Sequence, residues 1–274
     1  MKLRYLGTAA AEGIPALFCA CERCKRAREL GGKNIRTRSQ ALLDDTLLID
    51  YPPDSFAHMR DYGIDLSEIH DCVITHAHED HLYPLDFEYL QWGFSHPIEG
   101  GRGFTVYGSE DVMAEMAKRP EKTREYLHGQ YLAPYTPTDV NGYTVTALKA
   151  YHGTEHPYIY QISRDGKNLL YAHDTDIFPE ETWDYLIARG EKFDLVSLDC
   201  TAGSTVIRYH GHMCLSRNIE VRDRMAANGL CDEKTKFVLN HFSHNGANAC
   251  YDDMVPIAAA EGFLVSCDGM EIEF

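Results

Sequence analysis

The segment THAHEDH, residues 75–81, places three imidazoles and a carboxylate close together: His76, His78, Asp80 and His81. Nitrogen and oxygen donors at this density suit divalent ions such as zinc, manganese or iron. In an extended loop alternate residues share a face, so His76 and His78 point the same way and can reach one ion. Asp80 and His81 lie past the turn and can reach a second ion beside it. Composition alone would produce H-x-H-x-D-H in roughly 3 of 1,000 chains of this length, so coincidence is a poor account of it. The competing reading is a helix N-terminus that happens to be rich in histidine.

Two ions need more ligands than these four. Later in the chain, three apolar runs end in a residue of suitable type: His152 after TVTALKAY, Asp174 after NLLYAH and His241 after KFVLN. Scaffolds place ligands where strands run out into loops. Taken singly, each of the three is a weak signal, because a lone strand-end histidine is more often a surface or hydrogen-bonded residue. A second concentration of donors is FCACERCK, residues 18–25, with Cys19, Cys21 and Cys24. Three thiols cannot all pair as disulfides, and they are one ligand short of a tetrahedral zinc site. Reactive free thiols are the alternative.

These residues need elements to hold them. A short strand at Leu3–Leu6 runs into a loop. SQALLDDTLLIDY reads as a hairpin turning at Asp44-Asp45. DSFAHMRDYG has helical spacing with a glycine stop. DCVIT and FTVYG read as strands, and SEDVMAEMAK as a helix that starts at Ser109 and Asp111. YTVTALKAY, YIYQIS and NLLYA read as consecutive strands, with RDGK as a tight turn between the last two. PEETWDYLIA reads as a helix with Pro179 in its first turn. DLVSLD, KFVLN and FLVSC are apolar strands, and the helical spacers SRNIEVRDRMAANG and YDDMVPIAAAEG precede the last two. Strands with helices inserted in both halves predict two sheets packed face to face with helices outside. Pro84–Arg102 reads as an insertion.

The chain has 274 residues, and no Pro/Gly linker divides it, so residues 1–274 read as one domain. Hydrophobic residues make up 44% and charged residues 25%, which predicts a packed core. MKLRYLGTAA lacks the apolar stretch of a secretory signal, and no run approaches the roughly 20 apolar residues of a membrane span. A cytoplasmic location with no membrane partner is expected, with the nine cysteines reduced or metal-bound. A formal net charge of −16 repels long polyanions and argues against nucleic acid as a partner. It does not exclude a small anion, because bound cations invert the potential inside a pocket.

The order Asp50 in LLID, HAHEDH, His152, Asp174 in AHDTD and His241 in NHFSH resembles the metallo-β-lactamase fold superfamily over nearly the whole chain. The resemblance implies an α/β fold, an αββα sandwich of two mixed sheets with outer helices. It implies that His76, His78 and His152 bind one metal, that Asp80, His81 and His241 bind the other, and that Asp174 bridges them. Asp50 would orient a ligand histidine. A turn residue at a strand end is its other reading.

Within that superfamily the chain is similar to the phosphonate-catabolism phosphodiesterases. They share C-x-C-x-x-C after the first strand and a histidine three residues past the last ligand. By resemblance, Cys19, Cys21, Cys24 and His244 hold a structural zinc. LGTAAAEGIPA, LDC…HGHMCL and CDGMEIEF are similar as well. The implied function is a binuclear hydrolase with two divalent ions, manganese or zinc. It would act on a small anionic phosphodiester of cyclic or ribose type, with 5-phosphoribosyl 1,2-cyclic phosphate as the model. A metal-activated water would attack phosphorus at a centre that includes Asp80. His212, in RYHGHMC, would protonate the leaving group, with His210 as the neighbour that could be confused with it. A homodimer is possible.

Two departures bear on the substrate. Cys214 stands where the subfamily pattern has an aspartate, and the region between His81 and Phe104 is longer. The other readings are a lactone, thioester or β-lactam hydrolase, or oxygen chemistry, on the same fold. The relative in pyrroloquinoline quinone formation also carries a similar cysteine cluster. A non-catalytic zinc-stapled binding module and RNA processing complete the alternatives; the net charge opposes the last. His58, His70, His96, His128, His156 and His173 read as structural or surface residues.

Overall fold

The computed structural model describes residues 1–96 and 103–274, so the end of the expected insertion at 84–102 lies outside the described residues. The chain opens with β1 (Lys2–Gly7), β2 (Gln40–Leu43), β3 (Leu47–Ile49), β4 (Asp71–Val73), β5 (Phe104–Gly108) and β6 (Leu127–Tyr131). It continues through β7 (Thr138–Val140), β8 (Tyr143–Lys149), β9 (Tyr158–Arg164), β10 (Lys167–Ala172), β11 (Leu195–Asp199), β12 (Lys236–Asn240) and β13 (Leu264–Val265), and then β14 (Glu271–Glu273). Among the described residues these strands form two sheets, β14-β1-β2-β3-β4-β5-β6 and β13-β12-β11-β10-β9-β8-β7. Each is mixed: β3 to β6 and β10 to β13 pair in parallel, and the remaining neighbours pair antiparallel.

The strand pattern follows from burial on both faces. Leu43, Ile49, Val73, Tyr160, Tyr171 and Val238 pack between the sheets. Residues of opposite parity cover the outer faces: Leu42, Leu48 and Cys72 on the first sheet, Leu170 and Ala172 on the second. That is why these segments read as continuous apolar runs. Helices α1 (Glu22–Leu30), α2 (Ser55–Tyr62), α3 (Glu110–Ala117), α4 (Glu180–Arg189), α5 (Leu215–Ala227) and α6 (Tyr251–Ala260) complete the chain. Val112 and Met116 of α3 bury on the outer face of the first sheet, and Trp183, Val221 and Met254 of α4, α5 and α6 on that of the second. The result is an αββα sandwich. No helix among the described residues is long and apolar enough to cross a membrane.

Both expected tight turns form. Asp44 and Asp45 have φ 47° and 58°, and Asp165 and Gly166 have φ 53° and 76°. Left-handed conformations at both central positions match the twist of a hairpin. Three local expectations shift. His81 is followed by a turn and a short 3-10 segment, Asp86–Leu90, so the competing reading of residues 75–81 as a helix N-terminus does not hold. Pro179 caps α4 one residue before its first turn. FLVSC contributes only the two residues of β13.

Candidate metal centre

Strand direction brings the donors to one edge of the sandwich. Asp50 follows β3, the THAHEDH loop follows β4, His152 follows β8, Asp174 follows β10 and His241 follows β12. Asp50, Asp174 and His241 all adopt positive φ, 66°, 50° and 61°. Non-glycine residues rarely hold that conformation, and it concentrates at functional sites where the surroundings enforce it.

Two nitrogen-rich clusters result. His76, His78 and His152 form one; Asp80, His81, Asp174 and His241 form the other, with ligand atoms inside each lying within 4.8 Å of one another. In the first, His78 Nδ1 lies 2.9 Å from His76 Nε2 and 3.2 Å from His152 Nε2. In the second, His81 Nε2 is 2.5 Å and His241 Nε2 3.1 Å from Asp174 Oδ2, and His81 Nε2 is 3.3 Å from Asp80 Oδ2. Asp174 spans both clusters, because its Oδ1 stands 3.7 Å from His152 Nε2.

The outer ring nitrogens of His81, His152 and His241 are anchored, which fixes which nitrogen faces the centre. His81 Nδ1 lies 2.8 Å from Asp50 Oδ2, while Asp50 Oδ1 accepts from Thr75 N and Thr75 Oγ1. His152 Nδ1 donates to Gly211 O at 2.8 Å. Gly211 has φ 105°, a conformation only glycine takes without strain, so a side chain there would displace that carbonyl. His241 Nδ1 lies 2.8 Å from Thr201 Oγ1 and 3.5 Å from Asp199 Oδ2.

Asp199 was not singled out from the sequence. It is fully buried at the end of β11 and accepts from Asp174 N, Thr201 N and Met213 N. Its Oδ2 also stands 3.2 Å from His212 Nδ1. Its signal was the one that marked Asp174, a carboxylate where an apolar strand ends.

The electrostatics show what the clusters require. Burial pushes His76 well below the ordinary imidazole value. Burial would depress His241 too, but Asp174 and Asp199 outweigh it and push its pKa up to about 10. His81 is raised in the same way, by Asp174, Asp80 and Asp50 against burial. Asp174 falls well below the carboxylate range: burial opposes this, and His241 and His81 drive it. Buried carboxylates that hold imidazoles this strongly demand positive charge at the centre, which protons or a divalent cation can supply. Imidazole and carboxylate donors with anchored outer atoms fit a divalent ion.

The third cluster joins Cys19, Cys21, Cys24 and His244, again within 4.8 Å of one another. His244 Nδ1 is 3.6 Å from Cys19 Sγ and 3.5 Å from Cys21 Sγ. Cys21 caps α1, and its Sγ accepts from Cys24 N. The His244 imidazole pulls the Cys21 thiol down to about 6, whereas burial pushes Cys24 up to about 11. Three thiols and one imidazole form a closed tetrahedral donor set.

A cleft of about 480 Å³ opens over the centre. His78, Asp80, His152, Asp174, His212 and His241 line it. His212 is held between Asp174 Oδ1 and Asp199 Oδ2, both at 3.2 Å. Burial lowers its proton affinity, but the two carboxylates outweigh that and raise its pKa above the ordinary value. His210 turns away to Asp176, at 2.6 Å. His156 pairs with Asp111 at 3.1 Å, His173 packs against the Tyr171 ring at a tilt of 49°, and Cys214 is buried as the cap of α5.

A sequence model of the beta-lactamase superfamily domain matches residues 45–242. No curated protein sequence matches the chain at a significant level. Among solved structures, a diphosphatase of the PhnP family superposes with a TM-score of 0.77 at 20% identity, covering 100% of this chain and 97% of the other. Zinc-bound PqqB from Methylobacterium extorquens gives 0.77 at 19% identity, covering 100% of both chains. The short form of human tRNase Z gives 0.65 at 16%, covering 100% of this chain and 99% of the other.

Proposed function

The chain belongs to the beta-lactamase superfamily of metal-dependent hydrolases, and from that premise we propose that it is a binuclear phosphodiesterase acting on a small anionic diester. The observation that carries this reading is the Asp174 carboxylate, whose two oxygens face the two nitrogen-rich clusters. His76, His78 and His152 would hold one divalent ion, Asp80, His81 and His241 the other, with Asp174 shared. Manganese or zinc suits these donors. Cys19, Cys21, Cys24 and His244 would hold a structural zinc. Two divalent ions in such a site lower the pKa of a water and stabilise charge on phosphoryl oxygens.

The chain's own residues account for the rest. Asp80 and Asp174 return only part of the cationic charge, so the centre attracts an anion within an acidic protein. Asp50, Thr201 and the Gly211 carbonyl keep the ligand nitrogens aimed inward. His212, protonated and held by Asp199, gives its proton to the departing alkoxide oxygen, which is a poor leaving group without one. The diphosphatase and tRNase Z among the similar structures support chemistry at phosphorus.

The test is a turnover panel on metal-analysed protein with manganese or zinc added. It comprises an aryl phosphodiester, a cyclic ribose phosphodiester, a phosphomonoester, a lactone and a β-lactam. Turnover confined to the diesters is expected. Turnover confined to the lactone or β-lactam would overturn the phosphodiesterase and leave a hydrolase of another ester class.

A further inference from the structure

One wall of the cleft carries a carboxylate outside both nitrogen-rich clusters. Glu12 lies on the loop after β1, which runs beside the segment after β12: Ala10 N donates to Phe242 O at 3.0 Å, and Phe242 N to Thr8 O at 2.9 Å. Its Oε1 collects three neighbours from that segment. Ser243 Oγ donates at close range, Asn245 Nδ2 donates at 3.3 Å, and His244 Nε2 stands at 3.4 Å. Among the described residues none donates to Oε2. Glu12 lines the cleft with its side chain 29% exposed. One oxygen therefore fixes the carboxylate, and the other remains an acceptor available to a bound molecule.

A carboxylate beside a centre that attracts phosphoryl anions repels them. That repulsion is offset if the carboxylate meets a donor elsewhere on the substrate. The same lining includes Thr205, whose Oγ1 accepts from Ala247 N at 3.0 Å and keeps its own proton to give. An acceptor and a donor in one cleft match hydroxyl groups, which both give and take hydrogen bonds, better than an ammonium, which only gives.

We propose that Glu12 determines specificity by accepting a hydrogen bond at Oε2 from a hydroxyl on the sugar or polyol part of the phosphodiester. Thr205 supplies the complementary donor. This rests on the phosphodiesterase reading above.

Glu12→Gln tests it, because the amide oxygen can keep the Ser243, His244 and Asn245 contacts while an NH2 replaces Oε2. On a ribose cyclic phosphodiester kcat/KM should fall about tenfold, the scale of exchanging a charged hydrogen-bond acceptor for a neutral amide. On methyl 4-nitrophenyl phosphate, which has no hydroxyl, it should hold or rise. Metal held by the histidine and aspartate clusters, which Glu12 does not touch, should stay unchanged. Equal losses on both substrates, or none on either, would overturn the assignment. Thr205→Val should show the same split more weakly and serves if the Glu12 variant does not fold. If the parent protein hydrolyses neither diester, the phosphodiesterase reading fails, and calorimetry with ribose 5-phosphate and methyl phosphate decides Glu12 separately. The parent protein should then prefer the ribose ester about tenfold, within the range of one polar contact, and the variant should lose that preference. No preference in the parent protein, or one that the variant retains, overturns the assignment.

Discussion

His212 and Asp50 touch the centre from different sides and should fail differently. His212 reaches the cleft, and the role proposed for it is to deliver a proton. His212→Ala is expected to cost about 10²- to 10⁴-fold in kcat on an alkyl diester, the usual contribution of a general acid. The loss should be much smaller on an activated aryl diester, whose phenolate leaves unaided. Equal losses on the two would remove the proton-donor role. Asp50 never reaches the cleft. It is fully buried and holds His81 through Nδ1. Asp50→Asn should lower metal affinity or activity about 10- to 100-fold, as removing the partner of a ligand histidine does. A metal titration reads this directly, and an unchanged titration with unchanged turnover would sink it.

Among the elements, legibility in the sequence tracked burial. β4, β10, β11 and β12 are covered on both faces, so they stood out as apolar runs, and the polar residues after β4, β10 and β12 stood out against them. β6 and β7 did not stand out. They are the last strands of their sheets, and β6, LHGQY, exposes four of its five residues, so it lacks an apolar signature. α1 was hidden because ERCKRAREL buries only Cys24 and Ala27. Asp199 escaped for another reason: it is not among the residues that carry the family resemblance, and only the fold shows His212 and His241 beside it. The cysteine cluster ties α1 and the loop before it to the segment that carries His241. Cys21→Ser should lose zinc, about one ion per chain, and lower the melting temperature by about 5 °C or more. Full metal content with an unchanged melt would refute the structural zinc.

For the whole molecule, acid stability should bear the mark of His58. It is buried between Gln40 Oε1 at 2.6 Å and Thr37 Oγ1 at 2.7 Å, and burial pushes its pKa down to about 4. The unfolded chain titrates near the ordinary value of about 6.5. The neutral imidazole therefore contributes fully above that pH, and the contribution disappears as pH falls through 6.5 toward 4. The span is on the order of 3 kcal/mol. His58→Gln should flatten the stability–pH curve in that window, as denaturant melts at pH 7, 5.5 and 4.5 would show. A slope unchanged from the parent protein would rule this out.

The donors of both clusters come from both halves of the sandwich. His76, His78, Asp80 and His81 leave the first sheet, and His152, Asp174 and His241 leave the second. An ion seated there is also a fastener across the seam between the sheets. Because it binds the closed sandwich and not the open chain, the melting temperature should climb with the logarithm of free metal, by about 2.7 kcal/mol of stability at a hundredfold excess over Kd. Chelation should loosen the seam before it melts the strands, and amide exchange at Thr75, His173 and Asn240 would quicken first. A cell short of the metal would then hold a protein that is slack along its working edge as well as idle.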